Sequence, residues 1–128
     1  MAPLNKILHV EDEPDIQEVA RLALESFGGF TVETCSNGQE ALDRGPGFGP
    51  DLILMDVMMP GMDGPTAFEA MKKIPELKDV PVIFMTAKVM ETEIARFREM
   101  GAADVIPKPF DPVTLADQIK AIWEKLVP

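Results

Sequence analysis

Short apolar runs alternate with longer stretches of helical periodicity along this chain, and Gly, Pro and Asp fall between them. Five such pairs can be read. Ile7 to Val10 forms the first run, and Ile16, Val19, Ala20, Ala23 and Phe27 follow at helical spacing, with Pro14 suited to a first turn and Gly28 and Gly29 to a stop. Phe30 to Cys35 alternates as a second strand. Asn37 and Gly38 introduce a short helix around Glu40, Ala41 and Leu42, and Gly45 to Pro50 reads as a Gly/Pro loop. Leu52 to Met55 is a continuous apolar run ending at Asp56, the mark of a strand buried on both faces. After Pro60, Gly61, Asp63 and Gly64, a helix is predicted through Phe68, Met71 and Ile74. Val82 to Met85 is a fourth strand closed by Thr86; a helix around Ile94, Phe97 and Met100 stops at Gly101. A short strand covers roughly Ala103 to Ile106, and Leu115, Ile119, Ile122 and Leu126 mark the last helix.

Five βα units in sequence predict an α/β fold, a five-stranded parallel sheet doubly wound by helices through right-handed crossovers. Functional sites in such sheets form at the carboxyl ends of the strands, near the switch in strand order. Chemistry gathers at that edge here. Strand one ends in Glu11, Asp12 and Glu13, strand three in Asp56 and strand four in Thr86, while Lys108 and Pro109 follow strand five. Glu11, Asp12 and Asp56 would repel one another in a partly buried pocket unless a cation sat among them, and oxygen-only ligands favour a hard divalent ion. Magnesium suits the set best, because it uses one or two carboxylates and shares its shell with a phosphoryl group. Lys108 adds a fixed positive charge and Thr86 a hydroxyl donor, the parts needed to stabilise a phosphoryl group in transfer. Taken singly, Asp12 or Asp63 reads more simply as a helix N-cap, and a lone Lys or Thr carries almost no information. The signal lies in four strand ends supplying complementary chemistry together.

Composition narrows the field. The 128 residues make one domain, 46% hydrophobic and 27% charged, the balance of a globular chain. With 12 Lys+Arg against 22 Asp+Glu, the net charge is -10, which disfavours direct binding to nucleic acid or to anionic membranes. One cysteine, Cys35, can form no internal disulfide and fits a reducing, cytoplasmic setting; neither a signal peptide nor a membrane-spanning run is present. Among the remaining residues, His9 reads as a packed core side chain, Cys35 as a small apolar residue, Met55 as core, Met59 as loop packing and Trp123 as helix packing. Glu11, Glu13, Asp15 and Glu18 read as a solvated acidic cluster of which only Glu11, with Asp12, belongs to the site.

Taken in order, Val10-Glu11-Asp12-Glu13, Asp56 to Gly64, Met85-Thr86-Ala87 and Lys108-Pro109-Phe110 resemble the motifs of bacterial two-component response-regulator receiver domains, over about Lys6 to Leu126. The resemblance implies a flavodoxin-like sheet of order 2-1-3-4-5. It implies Asp56 as phospho-acceptor, served by a sensor histidine kinase, a histidine phosphotransfer protein or a small donor such as acetyl phosphate. Glu11 and Asp12 match the acidic pair that holds Mg2+ (Mn2+ substituting), with Asp56 and the carbonyl of Met58 as further ligands. Thr86 matches the switch hydroxyl and Lys108 the lysine that pairs with the phosphoryl oxygens; the Lys108-Pro109 bond is expected to be cis. Such a chain is no enzyme in the usual sense, catalysing only its own phosphoryl transfer and slow autodephosphorylation. It signals by a conformational change to a downstream protein through the face of helix four, strand five and helix five.

This chain departs from the family in one place, since Val105 stands where many receivers carry Tyr or Phe. Met58 and Lys88, two residues beyond Asp56 and Thr86, either overhang the phosphoryl group or merely face solvent. Three rival readings fit the residues less well. A haloacid-dehalogenase-like phosphatase needs a second Asp where Met58 stands; a flavodoxin-like cofactor carrier would have its phosphate repelled by Glu11, Asp12 and Glu13; a degenerate receiver would lack a member of the set. Residues 1–128 are expected to form a single receiver domain, stand-alone and chemotaxis-regulator-like or cut from a longer regulator or hybrid kinase.

Overall fold

A computed structural model of the protein describes residues 3–87 and 90–126. Strands and helices alternate as β1 (Lys6–Val10), α1 (Pro14–Gly28), β2 (Thr31–Cys35), α2 (Gly38–Phe48), β3 (Leu52–Asp56), α3 (Gly64–Met71), β4 (Val82–Thr86), α4 (Glu91–Glu99), β5 (Asp104–Pro107) and α5 (Leu115–Leu126). The strands lie in the order β2-β1-β3-β4-β5, every neighbouring pair parallel, as the expected doubly wound, flavodoxin-like α/β fold requires. Its order reverses beside β1, so β1 and β3 diverge at the crevice where their carboxyl ends meet.

Side chains of successive strand residues point to opposite faces, which divides the core into two layers. Leu8, Val10, Ile53, Met55 and Phe84 pack with Ala41, Ala67, Phe68, Met71 and Phe97 from α2, α3 and α4. Ile7, Leu52, Leu54, Ile83 and Met85 pack with Ala20, Leu24, Leu115 and Ile119 from α1 and α5, and Trp123 closes the margin of that layer. Every position of β3 and β4 is buried. Each large apolar side chain so enclosed contributes roughly 1.5–3 kcal/mol, so the sheet centre is the firmest support a site could have. Cys35 is a buried free thiol, and Met59 reaches from its loop into the first core layer.

Local signals place the helix ends. Pro14 opens α1 and Gly29, at φ 70°, closes it in the left-handed conformation. Asn37 and Asp63 cap α2 and α3 by accepting from the amides of Glu40 and Thr66, each at 2.8 Å. Two expectations need correction. The segment Gly45 to Pro50 is not all loop, for α2 runs through Pro46 to Phe48 and ends at Gly49, whose amide donates to the Gly45 carbonyl at 3.1 Å. Tertiary packing outweighs the Gly/Pro penalty there: Gly45 sits against Leu77 and Leu8, and Phe48 joins the core margin beneath the Lys6 ammonium. Ile74, expected inside the third helix, lies beyond it in a series of turns, because the following Pro75 disfavours helical backbone at the residue before it. Ile74 still packs on the core. No helix among the described residues is long and apolar enough to cross a membrane.

Candidate functional site

Parallel pairing brings the strand ends into one row, and that row carries the polar groups the core excludes. Asp56 is the last residue of β3, Thr86 the last of β4, Glu11 and Asp12 leave β1, and Lys108 leaves β5. Glu11 is fully buried, while Asp56 and Thr86 are 4% and 5% exposed. The Lys108 ammonium donates to Asp56 Oδ2 at 3.0 Å and to Glu11 Oε1 at 3.1 Å, while its backbone amide donates to the Thr86 carbonyl at 2.9 Å. Carboxylate oxygens of Glu11, Asp12 and Asp56 all come within 4.8 Å of one another. The structure thus gathers Glu11, Asp12, Asp56, Thr86 and Lys108 at one edge. The Lys108-Pro109 peptide is cis, as the resemblance implied.

Glu11 departs from the solvated acidic cluster expected around it. Its side chain is enclosed, with the second oxygen accepting from the Glu13 amide at 3.2 Å, so both carboxylate oxygens are engaged. The strand simply extends one step further, since the Glu11 amide donates to Cys35 across the β1/β2 ladder. Burial and then the charge of Asp56 raise the Glu11 pKa to about 7, against the Glu13 amide and Lys108, which favour the ionised form. Burial works against the Lys108 ammonium too, but its bonds to Asp56 and Glu11 outweigh that and raise its pKa above the ordinary value. One ammonium therefore faces three acidic groups, and the surplus of negative charge is what a hard divalent cation would relieve.

Around this centre, Asp63 holds the β3–α3 loop by its cap on α3, and the hydrogen bonds to Thr66 keep its carboxyl below the usual range. Met58 is 73% exposed on that loop. Lys88, which the sequence leaves open between overhanging the site and facing solvent, lies outside the described residues. One contributor had no signature in the sequence. Gln17, on the first turn of α1, donates through Nε2 to the Glu11 carbonyl and, at 3.3 Å, to Ser36 Oγ beyond β2. Neither its type nor its spacing distinguishes it from an ordinary polar helix residue.

His9, one strand position inside the site, is fully buried, and neither ring nitrogen has a hydrogen-bond partner among the described residues. Burial and then the Lys108 charge depress its pKa to about 4. A neutral native imidazole binds fewer protons than the unfolded one, so stability is complete above pH ~6.5 and falls as pH drops toward ~4, by about 3 kcal/mol in all. Glu11, with its pKa raised, acts in the opposite sense over much of that range. Subtraction separates the two. Urea unfolding of wild type and His9→Leu at pH 7.5 and pH 5 is expected to show the variant gaining on wild type at the lower pH; an equal difference at both pH values would refute this.

Residues 7–120 match the family described as the response regulator receiver domain. The transcriptional regulatory protein ResD of Bacillus subtilis is 39% identical over 120 residues, covering 94% of this chain and 48% of that protein. The CpxR homolog of Haemophilus influenzae is 39% identical over 122 residues, covering 95% and 52%. The chain thus spans about half the length of these curated relatives. Among solved structures, the chemotaxis protein CheY4 of Vibrio cholerae superposes with a TM-score of 0.86 at 28% identity, covering 94% of this chain and 99% of that one. The receiver domain of a signal transduction histidine kinase from Syntrophus aciditrophicus gives 0.80 at 36% identity, covering 96% and 92%.

Proposed function

This chain belongs to the response regulator receiver family, and from that membership we propose that it takes a phosphoryl group onto Asp56 and passes the signal to a protein partner. Receiver domains accept phosphate from histidine kinases and act on downstream partners. The observation that supports Asp56 as acceptor is its carboxylate, held at a strand end by the Lys108 ammonium at 3.0 Å and crowded by Glu11 and Asp12. In the transfer, an oxygen of Asp56 forms a bond to phosphorus while the bond from phosphorus to the donor imidazole, or to the acyl oxygen of acetyl phosphate, breaks and its electron pair leaves with the donor. Lys108 offsets the repulsion between the carboxylate and the incoming anion. Asp12, Asp56, the Met58 carbonyl and Glu11 would hold Mg2+, with Mn2+ able to substitute; when bound, the ion neutralises charge on the phosphoryl oxygens. Thr86 and Lys108, drawn to the new oxygens, would bias the loop after β4 between two arrangements.

The proposed donor is a sensor histidine kinase or a histidine phosphotransfer protein, and water slowly reverses the modification. Purified protein incubated with acetyl phosphate and Mg2+ is expected to gain the mass of one phosphoryl unit, and EDTA is expected to prevent the gain. No gain, or one indifferent to EDTA, would defeat the reading. The output surface we assign to α4, β5 and α5. Val105, the valine at the family's aromatic position, is half-buried and packs on the core layer that holds Phe97 of α4, so coupling there runs through apolar packing. Backbone amide shifts on adding beryllofluoride and Mg2+ are expected along that face, and their absence would remove the assignment.

A further inference from the structure

We propose that Gln17 is a positioning residue for the acidic pair, fixing the turn after β1 so that Glu11 and Asp12 converge with Asp56; this rests on the magnesium-dependent reading above. The Gln17 main-chain amide also ties the turn to α1, donating to the Glu13 carbonyl at 3.0 Å, but that bond does not reach the peptide between Glu11 and Asp12. The inner side of the turn is fastened by the Glu11 amide to Cys35 and by the Glu13 amide to Glu11 Oε2, but the Glu11 carbonyl faces α1. The carboxamide of Gln17 satisfies that carbonyl with one N–H and reaches Ser36 Oγ at 3.3 Å with the same nitrogen. Ser36 in turn donates its amide to Glu40 Oε1 at 3.2 Å, in the first turn of α2. A single side chain therefore stitches the exits of β1 and β2 to two helices, and the peptide it grips is the one joining Glu11 to Asp12. Freed of that grip, the peptide could rotate, and Asp12, which is only half-buried and makes no bond of its own to Lys108 among the described residues, would be the first carboxylate to leave the cluster. Groups that orient a ligand without touching the metal are commonly worth 10- to 100-fold in metal affinity.

The test compares wild type, Gln17→Met, which keeps length but has no donor, and Gln17→Glu, which adds a negative charge that would by itself tighten cation binding. Magnesium chloride alone is titrated by calorimetry, and phosphoryl gain from acetyl phosphate is followed by intact mass across magnesium concentrations. Urea midpoints in EDTA report the fold. Both variants are expected to bind Mg2+ about tenfold more weakly, to reach the wild-type extent of labelling at saturating Mg2+, and to keep the wild-type urea midpoint in EDTA. Unchanged affinity in Gln17→Met, or tighter binding in Gln17→Glu, overturns the inference while leaving the phosphorylation reading intact. No magnesium uptake by wild type overturns both.

Discussion

Asp56→Ala is expected to abolish phosphoryl gain from acetyl phosphate, by more than about 100-fold in initial rate, while the protein stays folded. No neighbouring carboxylate is placed to replace it. Glu11 has one oxygen on Lys108 and the other on the Glu13 amide, and Asp12 sits half-exposed on the turn rather than at the strand end that Lys108 addresses. Stability is expected to change by no more than about 1 kcal/mol, because two effects oppose. The variant loses the Asp56 bond to Lys108, but it also loses the carboxylate whose charge helps to raise the Glu11 pKa, and Lys108 keeps its bond to Glu11. Intact mass after incubation with acetyl phosphate and Mg2+ gives the first readout and urea unfolding the second. A variant that still gained one phosphoryl unit at the wild-type rate would place the acceptor elsewhere.

Gly64→Ala is expected to destabilise the protein by about 3 kcal/mol or more and to slow phosphorylation with it. Gly64 opens α3, and its amide donates to the Val57 carbonyl at 2.9 Å, so the helix start lies directly on the end of β3. A methyl group there would stand 2.5 Å from the Asp56 carbonyl oxygen and 3.0 Å from the Val57 Cα, with Phe84 behind it at 3.1 Å. The first two obstacles are backbone, and neither can turn aside as a side chain would. Either α3 lifts from the sheet or the Asp56 peptide moves. Gly38→Ala makes a fair control, since its methyl would meet mainly the Met62 thioether, at 2.9 Å, which can rotate away. A urea midpoint for Gly64→Ala equal to that of the Gly38→Ala control would show the contact to be harmless.

Much of this architecture can be read from residue pattern alone, for reasons visible in particular elements. Leu52 to Met55 admits no solvent face, so it had to be central, and an ionisable group at its end had to be at an edge. Asp56, Thr86 and Lys108 were legible for the same reason: each follows an apolar run, and parallel strands put all such ends together. Local propensity misleads where tertiary contact outweighs it. Pro46 stays helical because Gly45 and Phe48 on either side are packed, and Ile74 keeps its core contact without the helix its spacing suggests. The burial of Glu11 was hidden by its acidic neighbours, which are solvated; only the extra ladder step to Cys35 carries it inside. Gln17 was illegible altogether, since its partners are a carbonyl and a hydroxyl brought near by the crossover from β1 to β2.

Lys108 touches three strand exits through two chemically different handles. Its ammonium grips the ends of β1 and β3, and its main-chain amide grips the end of β4. If Asp56 takes the phosphoryl group as proposed, detector and transmitter would be the same amino acid: extra anionic oxygens there would pull that ammonium, and the tug would arrive at the Thr86 peptide after a single side chain's length. On that reading, no long wire of intermediates would be needed to carry news of the modification from the middle of the sheet to its β4 margin.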